Sequence, residues 1–473
     1  MMLWTIAKKE ILENLTSPKF IFTFALCMVI ILMSMYTGIQ NYSADLREHE
    51  AAVALDLEDM QQQEYVFGVK IYKPPQVLSP IIIGIQQVLG RMGYASISGE
   101  PGLGMSKHGS NPILAIFGEL DLTFIIKIVL SLFAILFTYD LIVGEKERGT
   151  LRLMLANNIP RDRIIFGKAI GNFISLLFPL LIPLLLSVIM LLISPDISLA
   201  GEEWMRILLL FLLFFTYLSV FFSLGLFVST RTNRASSSLL ILLFLWVVVV
   251  LVIPKAAVMM AGQIAPIPSA HEINTQKQAF SRQQYSGYMQ AFNDWQKQNP
   301  RPKTTGMSRE EQKRIRDDHS KRSRAFMEEW RAERDTRIEE YTATLNEDFD
   351  KKRNKQHLLA TGLSRISPAS ALTFAAMNLG RTGIDEHENF LNSIKTYKPE
   401  FAKWANVYRQ KMMTTPPDKR EKPDLSTMPV HTYTPETLQA SFMRALPDFI
   451  IMLMMVVVFF AGAFVSFLKY DVR

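Results

Sequence analysis

Tyr139-Asp140-Leu141-Ile142-Val143-Gly144-Glu145-Lys146-Glu147-Arg148-Gly149-Thr150-Leu151-Arg152-Leu153-Met154-Leu155 is the stretch on which the reading of this chain turns. It closes an apolar block, residues 120–143, that is long enough as a helix to cross a hydrocarbon core of roughly 30 Å, for which about 20 residues suffice. Charge and glycine arrive together where the block ends, so the chain leaves the apolar phase there. Gly144 and Gly149 permit sharp turns, Glu145, Lys146, Glu147 and Arg148 offer charged contacts, and Leu151, Leu153 and Leu155 form an apolar wedge. On the residues alone this is either a solvated turn that sets topology or a docking element for a soluble partner.

Five further blocks of comparable length lie on either side, at 20–39, 164–193, 204–228, 236–253 and 449–468. The chain has 473 residues, 49% of them hydrophobic, and its apolar residues are clumped rather than spread with helical or strand periodicity. The expected fold is an all-α membrane protein with six transmembrane helices. Lys and Arg in short connections stay on the cytoplasmic side. Lys8, Lys9 and Lys19 precede the first span; Lys146, Arg148, Arg152, Arg161, Arg163 and Lys168 follow the second; Arg231 and Arg234 lie between the fourth and fifth; Lys469 and Arg473 end the chain. The short connection 194–203 carries Asp196, Glu202 and Glu203 and no base. Both termini are therefore expected in the cytoplasm, with 1–19 as an interfacial helix, 144–163 as a cytoplasmic loop and 469–473 as a tail. The block 20–39 has neither a short basic leader nor a small-residue cleavage site, so a retained helix is expected. Leu3, Trp4, Ala7, Ile11 and Leu15 recur at helical spacing opposite Lys8, Lys9 and Glu13, as in a helix lying on the membrane surface.

Two long segments, 40–119 and 254–446, then fall outside and are expected to form one large, mostly helical extracytoplasmic domain. Residues 77–89 are apolar but too short to span, and Pro80, Gly84, Gln86 and Gln87 interrupt them, which predicts a buried or re-entrant helix. In the second segment Ile273, Phe280, Tyr288, Phe292 and Trp295 share one helical face before Asn299-Pro300-Arg301-Pro302 breaks the chain. Ser308-Arg309-Glu310-Glu311 fits a capping box. The helix that starts there carries an apolar stripe of Phe326, Trp330, Ile338, Tyr341, Leu345 and Phe349. From 309 to 357 it has 14 Lys/Arg against 13 Asp/Glu, a balance that fits a solvated helix with internal ion pairs. An antiparallel hairpin is the expectation, with 412–434 irregular because of Pro416, Pro417, Pro423 and Pro429.

Several short motifs, in this order and topology, resemble permeases of the ABC-2 type: Asn111-Pro112-Ile113-Leu114 and Leu120-Asp121-Leu122 heading span two, the 144–155 loop, Pro160-Arg161 and Gly167-Lys168 heading span three, and the terminal Phe467-Leu468-Lys469-Tyr470-Asp471-Val472-Arg473. Lys73-Pro74-Pro75, Leu78-Ser79-Pro80, Ile366-Ser367-Pro368-Ala369-Ser370-Ala371 and Gly380-Arg381-Thr382-Gly383 resemble the subfamily with a large insert between spans five and six. The resemblance implies that Gly144, Glu145, Lys146, Glu147, Arg148, Gly149, Thr150, Leu151 and Leu153 dock a separate ABC ATPase. It also implies a second permease copy or a sister permease as partner, a bacterial inner (cytoplasmic) membrane location, and transport of an unnamed substrate. The alternative is a mechanotransmission subunit that relays ATP-driven motion to a periplasmic or surface partner.

No Gly-x-x-x-x-Gly-Lys-[Ser/Thr] loop occurs, so the chain is expected to bind no cofactor itself, with ATP and Mg held by the partner ATPase. Residues 99–107 look phosphate-cradling, but Met105 rather than Lys follows the last glycine, and a flexible outer turn is expected. Cys27 is the one cysteine, which excludes an intrachain disulfide. The 24 methionines invite a comparison with soft copper sites, but no partners at ligand spacing accompany them, and no metal site is expected. The net charge of +7 is accounted for by the cytoplasmic loops, and no nucleic-acid role or catalytic arrangement is expected. Ionisable residues at membrane depth are functional candidates because burying them is expensive; here these are Lys127, with Glu119, Asp121 and Asp448 at outer helix ends.

Overall fold

The computed structural model describes residues 2–63, 66–86, 90–97, 102–103, 121–156, 159–303, 305–306, 308–415 and 424–470. Glu119, the motifs at 111–114 and 471–473, and most of 99–107 lie outside the described residues. Among the described residues six helices are long and apolar enough to cross a membrane: span 1 (Pro18–Gln62), span 2 (Leu122–Glu147), span 3 (Arg161–Ile193), span 4 (Gly201–Arg231), span 5 (Ala235–Ile264) and span 6 (Leu438–Leu468). The chain is thus an all-α membrane protein.

Local chemistry sets the helix starts. Ser17 accepts the N–H of Phe20 with Pro18 in the first turn of span 1, an arrangement that satisfies one orphan donor and uses the fixed proline φ where no N–H is needed. Asp121 caps span 2 and Thr437 caps span 6 in the same way. Span 1 does not stop at the end of its apolar block but continues as a helix to Gln62. Its polar extension is held by ion pairs of Asp45 with Arg91 and Asp56 with Lys70, both at 2.9 Å.

Spans 2 and 4 are the most deeply buried of the six and spans 5 and 6 the least. Leu210, Leu213, Phe214, Tyr217, Leu218 and Phe221 are buried along span 4, whereas Leu240, Phe244, Leu453, Met454, Val457 and Val458 on spans 5 and 6 are exposed, as suits residues facing lipid. Two spans depart from α geometry: Ile126–Leu130 in span 2 and Val247–Val252 in span 5 are π-helical. The hydroxyl of Tyr217 donates to the Lys127 carbonyl at 2.8 Å and that of Ser367 to the Val249 carbonyl at 2.6 Å. The wider turns therefore do not leave these two acceptors bare.

The described part of 77–89 is buried, with Leu78, Ile81 and Ile82 in the main core, but as consecutive turns rather than a helix, because Pro80 cannot donate to a helical ladder. A three-stranded antiparallel sheet, β1 (Gly68–Tyr72), β2 (Met92–Ser96) and β3 (Gly102–Leu103) in that order, is an addition to the helical expectation. Val69, Ile71 and Ala95 of the sheet pack with Phe390, Ile394, Tyr397 and Phe401 of helix Ile384–Thr414 as a second core. Beside it Lys73 is buried, its ammonium 3.9 Å from the Glu386 carboxylate and facing the Phe390 and Tyr433 rings. Burial lowers its pKa to about 8 despite the attraction of Glu386.

The chain divides into two compact units, residues 1–254 with 365–473, and Lys255–Ser364. Within the second, helices Ala270–Gln298 and Arg309–Ser364 pair. Phe280 stacks on Tyr341 with centroids 4.0 Å apart, Tyr288 meets Trp330, and Trp295 stacks on Phe326. Ascending numbers on one helix meet descending numbers on the other, so the pair is antiparallel. Ser308 and Glu311 form the reciprocal capping box, and the Arg334 guanidinium covers the rings of Tyr285 and Tyr288.

Candidate coupling site at the loop between spans two and three

Glu145, Lys146 and Glu147 send consecutive charges to three different places. Glu145 Oε1 accepts Lys168 Nζ of span 3 at 2.8 Å, and its other oxygen accepts the Thr150 hydroxyl. Lys146 Nζ donates to the carbonyls of Thr230 and Thr232 at 2.6 and 3.1 Å, at the C-terminal end of span 4, and lies 4.6 Å from the Tyr470 ring. A cation there meets the negative end of the helix dipole and satisfies carbonyls with no helical partner. Glu147 accepts the N–H of Ala235 at 3.1 Å, the first helical residue of span 5, where a carboxylate meets the positive end of the dipole. In return Ser229 of span 4 accepts the N–H groups of Ile142 and Val143 at 3.0 and 3.2 Å.

The same loop reaches the remaining spans. Asp140 pairs with Lys19 at the start of span 1 at 2.9 Å, and that ammonium also faces the Tyr139 ring. Arg161 donates to the carbonyls of Leu468 and Tyr470 at 2.6 and 2.8 Å, where span 6 ends. Residues 140–161 therefore contact the same end of all the other spans.

Lys168 is also the centre of a buried cluster. Its ammonium donates to Glu10 at 2.6 Å, on the helix Met2–Leu15, as well as to Glu145. The second oxygen of Glu10 accepts Asn172 at 2.9 Å, and Asn14 donates to Asn172 at 2.7 Å. Both carboxylates and the ammonium are thus paired and hydrogen-bonded, as burial requires. The N-terminal helix comes this close because Gly167 and Gly171 of span 3 offer no side chain: a Cβ at Gly171 would stand 2.6 Å from the Ala7 carbonyl.

A different face is left outward. Gly149 adopts φ +73° with open space around it and turns the chain into the short helix Thr150–Ala156, a backbone conformation that favours glycine. That helix buries Leu151 and exposes Arg152 and Leu153, and Arg148 is exposed beside it. Gly144, Glu145, Lys146, Thr150 and Leu151 thus face the chain's own spans, Glu147 is exposed while bonding the start of span 5, and Arg148, Arg152 and Leu153 face out.

The other sequence candidates are apart from this cluster. Asp448 is buried and ion-paired with Arg365 at 2.7 Å. Asp121 accepts the N–H groups of Phe124 and Ile83. Sequence reasoning missed Glu10, Asn14 and Asn172, because a glutamate on a surface helix reads as solvated; the signal was Glu10 standing between Ile6 and Leu3 on one side and Asn14 on the other, on the face that meets span 3.

Apolar helices whose ends meet one charged segment make this a multi-pass membrane protein with a polar contact centre at one end of its bundle. The family model for ABC-2 family transporter proteins matches residues 4–472, and the chain belongs to that family. No curated protein matches it.

Proposed function

We propose that this chain is the permease subunit of an ABC exporter in a bacterial inner membrane. A separate ATPase, holding ATP and Mg, docks on Arg148, Arg152 and Leu153. Its movement then reaches the spans through Asp140, Glu145, Lys146, Glu147 and Arg161. The observation that carries this is that the segment 140–161, from the end of span 2 to the first residue of span 3, is bonded to every other span at the same end, because a displaced segment so attached cannot move alone. The exposed pair of arginines beside an apolar knob calls for an acidic partner surface with an apolar recess. The basic connections put this end in the cytoplasm, and a second permease copy or a sister permease completes the pathway.

The test is co-purification of the ATPase with full-length variants. Arg148→Glu/Arg152→Glu/Leu153→Asp loses the ATPase and melts like the wild type, whereas Glu145→Gln keeps the ATPase but no longer couples hydrolysis to transport. A triple variant that retains the ATPase at wild-type yield overturns the docking face.

The hairpin favours a second reading, in which the stroke works on a partner outside the membrane without moving cargo. Its longer helix has 56 residues, about 84 Å at 1.5 Å per residue. ATP-dependent accumulation of substrate in inverted vesicles separates export from mechanotransmission.

A further inference from the structure

Span 2 carries a cation that the described residues leave without an ion pair. Lys127 lies in the second turn from the Leu122 end. Phe124, Lys127 and Ile128 are exposed or half-exposed on one side of the helix, while Leu122, Thr123, Ile125, Ile126 and Leu130 are buried on the other. The acid that attracts it, Asp121, stands beyond ion-pair distance and accepts Phe124 N–H at 2.7 Å and Ile83 N–H at 3.4 Å. Among the described residues no carboxylate lies within ion-pair distance of the Lys127 ammonium, which stands 5.9 Å from the centre of the Phe124 ring.

The backbone is distorted at the same residue. Ile126–Leu130 is π-helical, a geometry that is rare and recurs at functional sites. The Lys127 carbonyl accepts both the Tyr217 hydroxyl at 2.8 Å and the Ser131 hydroxyl at 2.6 Å, and Tyr217 is fully buried. Lys127 is therefore anchored from inside the bundle through its backbone, while its side chain leaves on the open side. Five residues at 1.5 Å each place it roughly 7.5 Å below the helix start, a depth from which a lysine stem extends its ammonium to the headgroup layer.

We propose that Lys127 binds the phosphate of a glycerophospholipid, whose glycerol and upper acyl chain lie along Phe124 and Ile128. An unpaired ammonium on the lipid side of a span needs a counter-anion, and the phosphodiester is the anion present at that depth in every phospholipid leaflet. The apolar residues flanking the cation distinguish this position from a site for a free, hydrated anion. The assignment does not depend on ATPase docking at the opposite end of span 2.

The experiment is native mass spectrometry of the delipidated full-length protein titrated with phosphatidylglycerol, with diacylglycerol of the same chains and inorganic phosphate as comparison arms. Wild type and Lys127→Arg are expected to retain one more phosphatidylglycerol than Lys127→Gln, while diacylglycerol is not retained at that position. Equal retention by wild type and Lys127→Gln overturns the proposal, and so does displacement of the lipid by inorganic phosphate at equal concentration. If Lys127→Gln does not fold, a phosphatidylglycerol with a photoreactive headgroup decides the matter on the wild-type protein. Crosslinks within 121–131 support the site, and their absence there refutes it.

Discussion

Replacing Lys168 by methionine removes the one cation between Glu10 and Glu145, which it meets at 2.6 and 2.8 Å. All three side chains are largely buried, so solvent screens them little. Breaking a buried ion pair by deleting one partner costs ~3 to 5 kcal/mol, because the remaining charge is left uncompensated. Here two carboxylates are left facing each other, so we expect the upper part of that range for Lys168→Met. Glu10→Gln is milder, because Lys168 keeps Glu145 and the amide oxygen still accepts a hydrogen bond; about 1.5 to 3 kcal/mol, the worth of a hydrogen bond to a charged group, is the expected loss. The triple variant Glu10→Gln/Lys168→Met/Glu145→Gln removes every charge and should recover most of the stability lost by Lys168→Met alone. It should not recover transport, since the tie between the loop, span 3 and the N-terminal helix is gone. Scanning fluorimetry of the purified protein reads the first effect and ATP-dependent transport with the partner ATPase reads the second. A Lys168→Met protein that melts like the wild type, or a triple variant no more stable than Lys168→Met, refutes the reasoning.

Three further outcomes are expected. Gly171→Val forces a side chain into a space where even a Cβ would stand 2.6 Å from the Ala7 carbonyl. It should release the N-terminal helix at a cost of about 1 to 3 kcal/mol, read as faster proteolysis before residue 16. Trp330→Asp takes an aromatic out of the Tyr288 contact and places a charge there. It should destabilise the hairpin by ~3 kcal/mol or more, seen as selective proteolysis within 255–364 of the full chain while the spans stay protected. Lys73, held at about 8 when folded against its ordinary 10.5, is neutral in the folded state but still protonated in the unfolded state between those values. The unfolded state then binds the extra proton, so the stability contributed by this group rises as pH climbs from about 8 to 10.5, at ~1.4 kcal/mol for each pH step of one. The melting temperature of the wild type should gain on that of Lys73→Met over this window, and a constant difference across it refutes the assignment.

The six spans and the loop that matters were legible because both are one-dimensional signals: a run of about 20 apolar residues must be a helix when no water is present to satisfy its backbone. The hairpin was legible for a related reason, since Phe280, Tyr288 and Trp295 on one helix and Phe326, Trp330 and Tyr341 on the other repeat at helical spacing across a proline break. The continuation of span 1 to Gln62 was not, because its polar extension is held by Asp45 and Asp56 through partners far along the chain. The small sheet was missed because its strands are only two to five residues long.

Sequence alone therefore determined that this is a membrane protein of six spans, and that 144–155 is the charged loop at one end of the bundle. Both follow from the free energy of burying backbone and charge, which depends on local composition. Which way each charge of that loop points was decided by tertiary structure. Glu145, Lys146 and Glu147 read alike with Arg148 as solvated charges, yet the first three meet Lys168, the end of span 4 and the start of span 5, Glu147 from an exposed position, whereas Arg148 points outward. Glu10 became buried because Gly167 and Gly171 let a surface helix approach span 3. Such pairings join residues far apart in the chain, and their energies exist only once the helices have packed.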